Sequence, residues 1–547
     1  MKKLLPVSIL CLLTLSSFCQ HSQLALSEDF KIAEKEYKDQ TVTHSVYHNN
    51  CFYTATNSGI GGNYKWAFTK LYDLKYAVTI SKFDKNMNKI KDLEIEKGEK
   101  LFGPLAPQLI ILDNKLCLVY FQSDNKNSFN LFLALVDEND LTLKQPKKVC
   151  TLQQENVGIF KMESVLNAGL VFFTNSGDNM KTLVACNASP NTIQTFVIDN
   201  DLNILKQSVL HTNTSGFNIS SAVLTNDKTE CMLLVSDQET KIVCNSAEGK
   251  KSEMKLSQSG NLLPNATNAT LSKDGKRIYI YSTSSLTGNN DKNCSGLLLS
   301  QLDCSTMKLS RPVSYEFSPE VIEKVYQKGG GSKHKKEYFM YNFMPNLIEL
   351  DNGNLVIVGS PEQTTTSIST SAPNMENKTQ QLAKTTFEVG PVLAFFLNKT
   401  GKTFDYVLIP RNITSTRVAS SGTGAIKIVQ SPKVSHSYSN FTTTNLGDEI
   451  LVIYNDNEDN LKRSEDEKIA EAHSTKDLVL AEALINKNKK LEYRKQIGEN
   501  AGKNYTYYLG NTVPTSSSLI IFPLAKQGVG FNARKTFYSN WCFLDIK

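Results

Sequence analysis

Short apolar runs alternate along this chain with turns built from Asn, Asp and Gly. LIILDNKLCLVYF from Leu109, VLNAGLVFF from Val165, AVLTNDKTECMLLV from Ala222, ATLSKDGKRIYIY from Ala269, LIELDNGNLVIVG from Leu347 and TTNLGDEILVIY from Thr443 each read as two strands about a tight turn. The turn residues either tolerate positive φ or bond to their own backbone. The flanking runs are rich in Val, Ile, Leu and Tyr and have the length of strands, roughly five to eight residues. A second series runs in step with the first. Apolar strands enter an Asp or Asn at Phe83-Asp84, Val136-Asp137, Ile198-Asp199, Cys244-Asn245, Leu302-Asp303, Leu397-Asn398, Ile485-Asn486 and Leu544-Asp545. Seven of these marks are followed by another strand, and the eighth only by Ile546 and Lys547.

The two series together define a unit of two hairpins that recurs at about the 50-residue period of a four-stranded propeller blade. The two longest intervals, Asp303 to Asn398 and Asn398 to Asn486, each contain one first hairpin, so they hold insertions and not extra units. The expected fold is all-β: a single β-propeller over residues 20–547 with eight blades, seven being the alternative count. One twisted sheet cannot bury both of its faces, whereas stacking sheets around an axis buries them all. The truncated last hairpin needs a strand from elsewhere, and Phe30–Tyr37 is the expected donor, pairing the amino-terminal segment with the carboxy-terminal hairpin to close the ring.

The ATLSKDGKRIYIYS segment resembles the TolB-type, WD40-like propeller repeat, with its S-x-D-G-K-R turn. The chain as a whole resembles uncharacterised exported propeller-like proteins of Bacteroidetes, through segments such as ELDNGNLVIVG and LVIYNDNEDN. The resemblance implies fold and export and carries no functional residue.

Insertions are expected at 318–338, 360–386 and 455–477. The first opens at Ser318-Pro319, a helix start, and stops at Gly329 before the basic strip SKHKK. The second is Ser/Thr-rich and reads as a mobile loop. The third reads as holding a helix capped by Ser464 with Glu467 completing a capping box. The connections between second and third strands are the long ones and gather on one rim. On it, blade 1 offers Tyr64, Lys65, Trp66, Phe68 and Tyr72 in a Gly-rich loop. These could stack a sugar ring or peptide side chain, or simply pack the loop onto its own blade.

Composition alters this picture little. The net charge of +6 on 547 residues is spread among many acids and does not suggest a nucleic-acid surface. Residues 1–19, with Lys2, Lys3 and an apolar run to Leu15, read as a signal peptide, with lipid attachment at Cys19 as the rival processing; no later run is long enough for a membrane span. Of eleven cysteines, Cys11 and Cys19 fall in that leader, and Cys231 and Cys244 are placed to face each other across a hairpin as a candidate disulfide. No zinc spacing, H-E-x-x-H, G-x-S-x-G, nucleotide loop or sialidase Asp-box is present, so no catalytic, metal or cofactor residue is assigned. The expected function is that of an exported, monomeric, non-catalytic propeller binding a protein or glycan ligand on its long-loop face. A glycan-active hydrolase or lyase with an axial site is the first alternative, and a structural envelope component the second.

Overall fold

The computed structural model describes residues 22–26 and most of 40–546; the longer stretches outside it are 1–21, 27–39, 60–75, 96–107, 154–170, 287–293, 329–342, 371–380, 431–440 and 528–535. The described residues are nearly all β, with two helices, α1 (Pro319–Lys328) and α2 (Glu458–Leu461). Seven antiparallel sheets follow one another: sheet 1 (40–95), sheet 2 (108–153), sheet 3 (171–211), sheet 4 (218–255), sheet 5 (262–316), sheet 6 (346–409) and sheet 7 (441–498). Their strands lie side by side in chain order, as successive hairpins dictate. Sheet 8 is built from both ends of the chain. Its strands Leu519–Gln527 and Thr536–Ile546 pair with each other, and Ser22–Leu26 lies antiparallel along Thr536–Ile546 from Ser22 opposite Ile546 to Leu26 opposite Cys542.

The outer strand is therefore SQLAL and not Phe30–Tyr37, which lies outside the described residues. Leu24 of this strand, partly buried, packs with the core shared by sheets 7 and 8. In sheet 3 the first strand is Val171–Asn175, paired with Thr182–Ser189, so the turn expected at Asn167 does not join its first two strands.

The Asp and Asn marks do local work at the turn between third and fourth strands. Asp84 accepts from the Asn88 amide (2.8 Å), Asp199 from those of Asp201 and Asn203 (3.0 and 2.8 Å), Asp303 from those of Ser305 and Thr306 (3.0 and 2.8 Å) and Asn486 from those of Asn488 and Lys490 (3.0 and 3.2 Å). Each side chain supplies the acceptor that the reversing backbone lacks. Hydrogen bonds from Ser305 and Thr306 hold the Asp303 carboxyl down to about 2.

Central strands are buried on both sides: all six residues of Val392–Leu397 and all eight of Leu478–Ile485. Each face meets a neighbouring sheet. One apolar cluster joins sheets 1 and 2 around Tyr53, Ile80 and Leu118, and others join 2 to 3, 3 to 4, 4 to 5, 5 to 6, 6 to 7 and 7 to 8 in turn. The last cluster puts Ile521 of sheet 8 between Phe52 and Phe83 of sheet 1. Helix α1 buries Val321, Ile322 and Val325 between sheets 5 and 6, beside Phe343. The Phe343 ring leaves room only for glycine at position 359, where a Cβ would come within 2.3 Å of it.

The segment expected to be a mobile loop is a β-ribbon. Glu362–Thr370 pairs with Gln381–Val389 over nine residues, and a second ribbon, Ile413–Gly422 with Ala425–Gln430, adds to it as a four-stranded inserted sheet. Its Thr and Ser content reads as disorder by composition, yet threonine is a favourable strand residue once an antiparallel partner is present. Helix α2 begins at Asn457, whose side chain accepts from the Asp459 amide, seven residues before the expected Ser464 cap. Ser464 itself lies outside the described residues.

Starting the chain at residue 27 removes the edge strand and the partly buried Leu24. We expect a single cooperative unfolding transition displaced downward by of the order of 5 °C, and not a fraying of one end, because sheet 8 loses its outer support. Differential scanning calorimetry reads it; an unchanged melting temperature shows that SQLAL contributes nothing.

Candidate functional site

Strands joined in chain order place first-to-second and third-to-fourth turns at one end of each sheet, and second-to-third connections at the other. At the short-turn end, the first strands of sheets 5, 6 and 7 converge on a cleft of about 590 Å³. Thr270, Lys273, Glu349, Asp351, Thr443 and Asn445 give it its chemistry. The three hairpin turns are bonded in series. The Lys273 amide donates to Glu349 Oε2 (2.7 Å) and the Lys273 ammonium to Asp351 Oδ1 (2.6 Å). The amide of Asp351 donates to the Gly447 carbonyl (3.1 Å), and that of Asn352 to Asp448 Oδ1 (3.0 Å). Asn445 Nδ2 reaches the Glu349 carbonyl (3.2 Å) and Asp351 (3.4 Å).

Both carboxylates of the cleft are thus engaged as acceptors. The hydrogen bond and charge of Lys273 hold Asp351 below the usual carboxylate range. Glu349 Oε1 takes the hydroxyl of buried Tyr279 (3.1 Å), whose own ionisation is pushed up to about 12, chiefly by burial. A general acid at neutral pH needs a raised carboxyl, and the shift at Asp351 is in the opposite direction. What the cleft offers is an array of hydrogen-bonding groups with apolar Leu271, Leu347 and Ile348 between them, suited to a small polar ligand.

At the long-loop end stand α1, the α2 loop and the inserted sheet. The ribbons spring from a buried ionic joint. Arg411, fully buried, donates from Nε to the Gly390 carbonyl (3.3 Å) and from Nη2 to Ser360 Oγ (3.0 Å), and Ser360 donates to the same carbonyl (3.0 Å). The residues flanking the first ribbon are therefore held together by the residue that introduces the second. Asp456 faces this joint from sheet 7. It accepts from the Asn457 amide and from Asn460 Nδ2 (both 2.8 Å). Asn460 in turn fixes the α2 loop by exchanging hydrogen bonds with Ala470. The loop then meets the second ribbon where the Ala472 carbonyl accepts from the Thr414 amide (2.9 Å) and the Ala472 amide donates to the Asn412 carbonyl (3.0 Å). Burial lifts the Asp456 carboxyl to about 7 against the opposing pull of Asn460, Asn457, Arg411 and Arg494, and brings Arg411 down to about 10.

The aromatic loop Tyr64, Lys65, Trp66, Phe68 and Tyr72 lies outside the described residues, so its placement is open. Cys231 and Cys244 stand directly opposite each other in adjacent strands of sheet 4, both buried and both free thiols. A second pair that sequence spacing does not foresee, Cys150 and Cys186, brings its sulfurs to 3.7 Å between sheets 2 and 3. Among the described residues there is no group of three or more side chains able to hold a metal, and no helix long and apolar enough to cross a membrane.

No family model matches the chain, and no curated protein matches it in sequence. Solved structures do align. The WD40 domain of SCAP from fission yeast aligns over 88% of this chain and 94% of its own, with 10% identity and a TM-score of 0.38. The β-propeller domain of the Trilobed protease from Pyrococcus furiosus covers 85% and 99%, with 10% identity and a TM-score of 0.32. A putative 6-phosphogluconolactonase from Bacteroides fragilis covers 68% and 86%, with 12% identity and a TM-score of 0.33. Likeness at this level carries no argument, and the fold rests on the strand pairing and sheet packing above.

The raised Asp456 predicts a pH signature. Between about pH 4, where the unfolded carboxyl ionises, and about pH 7, the folded state holds a proton that the unfolded chain has released. Stability therefore falls as pH rises through that window, by up to about 1.4 kcal/mol per unit, and levels off above it. Urea melts of Asp456→Asn against the parent at pH 5 and pH 7 check this: the variant loses the slope, and parallel curves refute it.

Proposed function

We propose that this chain is exported and folds as an eight-bladed, closed β-propeller that binds a partner protein on its long-loop face without catalysing a reaction. Eight sheets, each packed on the next with Phe52, Phe83 and Ile521 linking the last to the first, support the ring. The observation that carries the binding role is the inserted sheet. Thr364 to Ile368 are all exposed, and among those residues of its strands whose burial is described only Val389 and Ile413, at the root, belong to the buried apolar set. An inserted sheet that presents the exposed run Thr364 to Ile368 beyond the sheets it springs from offers a surface for recognition.

A glycan ligand in the cleft is a second reading, favoured by the converging Thr, Asn, Lys and carboxylate groups of three inner strands. That cleft lies at the end opposite the long loops. The hydrolase reading draws no support from it, because its carboxylates are engaged and Asp351 is held low. Whether the aromatic loop of blade 1 joins the recognition face is part of the same proposal.

The test replaces Gln363–Glu388 with an Asn-Gly turn, keeping the Glu362–Val389 pair at the root. The melting temperature is expected to stay within about 3 °C, since little apolar area is lost. Binding to a peptide and glycan array falls at least tenfold if the sheet is the recognition element. Full binding by the shortened chain refutes that role, and glycan binding lost only in Lys273→Met moves the site to the cleft.

A further inference from the structure

A sheet edge exposes unpaired amides and carbonyls, and natural chains guard it with lysine, proline, bulges or short strands. Five outer strands of this protein are guarded in that way. KIKDLEI, KKVCTLQ, ILKQSVLH, KSEMK and LEYRKQIG all carry lysine. All but KSEMK are also irregular in register against their neighbours. Glu362–Thr370, EQTTTSIST, has none of these devices. It is the outermost strand of the inserted sheet and, among the described residues, pairs on one side only. It runs along Gln381–Val389 without a register shift, as a regular edge. Its side chains from Thr364 to Ile368 are exposed, Ile368 at 67% being the most exposed large apolar residue described.

We propose that this edge pairs antiparallel with the same edge of a second copy, about a two-fold axis through Thr366. The strand is close to self-complementary about that point. Thr366 meets Thr366, Thr365 meets Ser367, Thr364 meets Ile368 and Gln363 meets Ser369. The one charge, Glu362, falls opposite Thr370 at each end, so no like charges face each other. β-branched and hydroxyl pairs of this kind favour antiparallel pairing, and a two-fold axis requires the antiparallel sense. The product is one continuous eight-stranded sheet spanning two molecules, and it covers the exposed face of Ile368 with Thr364 of the partner strand. The proposal names the partner in the reading of the inserted sheet as a recognition element, and replaces the monomer expected from sequence with a dimer.

Sedimentation velocity on the full chain, across roughly 1 to 200 µM, tests it, because an edge contact below the standard interface size gives a micromolar dimer. The wild-type chain is expected to pass from monomer to dimer over that range. Thr366→Lys sets like charges opposite each other at the two-fold axis, and Ile368→Lys adds a charge to the edge; each weakens the dimer at least tenfold, with circular dichroism melts unchanged. A wild-type chain that stays monomeric at 200 µM overturns the proposal, and so does a dimer unaffected by both edge variants. A monomer whose binding to array ligands still depends on the inserted sheet overturns self-pairing alone and leaves the recognition role standing.

Discussion

The constraint on which this molecule depends is that its sheets have two apolar faces. In sheet 7, Leu451, Ile453 and Leu480 pack toward sheet 8 while Val452, Ala481 and Ala483 pack toward sheet 6. Such a sheet has no stable solvated side and needs a neighbour on each. A row of sheets would leave two such faces exposed at its ends. Packing Ile521 against Phe52 and Phe83 brings the last of these sheets into contact with the first. The small size of that cluster explains why the covalent arrangement of sheet 8 matters. Its outer strand comes from the start of the chain, so the joint between first and last sheets is reinforced by backbone pairing within sheet 8 as well as by side-chain contact.

Carboxylates mark several of the inter-sheet joints, Glu230 among them fully buried. Glu138 of sheet 2 receives the Tyr53 hydroxyl of sheet 1 (2.9 Å), and Glu230 of sheet 4 receives Thr195 (2.5 Å) and Lys206 (2.8 Å) of sheet 3. Glu349 of sheet 6 receives Tyr279 of sheet 5 (3.1 Å). Apolar contact between sheets is indifferent to sliding, whereas a desolvated carboxylate is satisfied at one register only. These groups therefore fix how far each sheet is displaced along its neighbour. The cleft at sheets 5 to 7 is one consequence, because Glu349 and Asp351 align three hairpin turns at the same height.

Features set by local chemistry were legible in the sequence. The Asp and Asn marks could be found because a side chain that caps its own turn acts within a few residues, and helix α1 because Ser318 and Pro319 act at its start. The strand completing sheet 8 was legible as a need but not as a segment. Five residues, SQLAL, carry too little pattern beside an apolar leader to be distinguished from it. The inserted sheet was hidden for a different reason. Thr and Ser runs lower mean hydropathy as a disordered segment does, and only the second ribbon, about 30 residues on, turns them into strands. The cleft and the Arg411 joint are assembled from residues far apart in the chain and had no linear signal.

That joint also explains how a surface sheet can be rigid without a core of its own. Arg411 ties Ser360 to Gly390, and Asn412 and Thr414 tie the second ribbon to Ala472. Asp456 and Asn460 carry the same connection into sheet 7. Removing one partner from a buried charge cluster costs more than the cluster contributes, since the remaining charge stays desolvated. The root is therefore held as a unit, and the ribbons above it keep one orientation relative to sheets 6 and 7. An edge strand can serve as a template only if its hydrogen-bonding groups are held in line before a partner arrives. The buried joint supplies that alignment from below, while the unguarded edge of Glu362–Thr370 presents it to solvent.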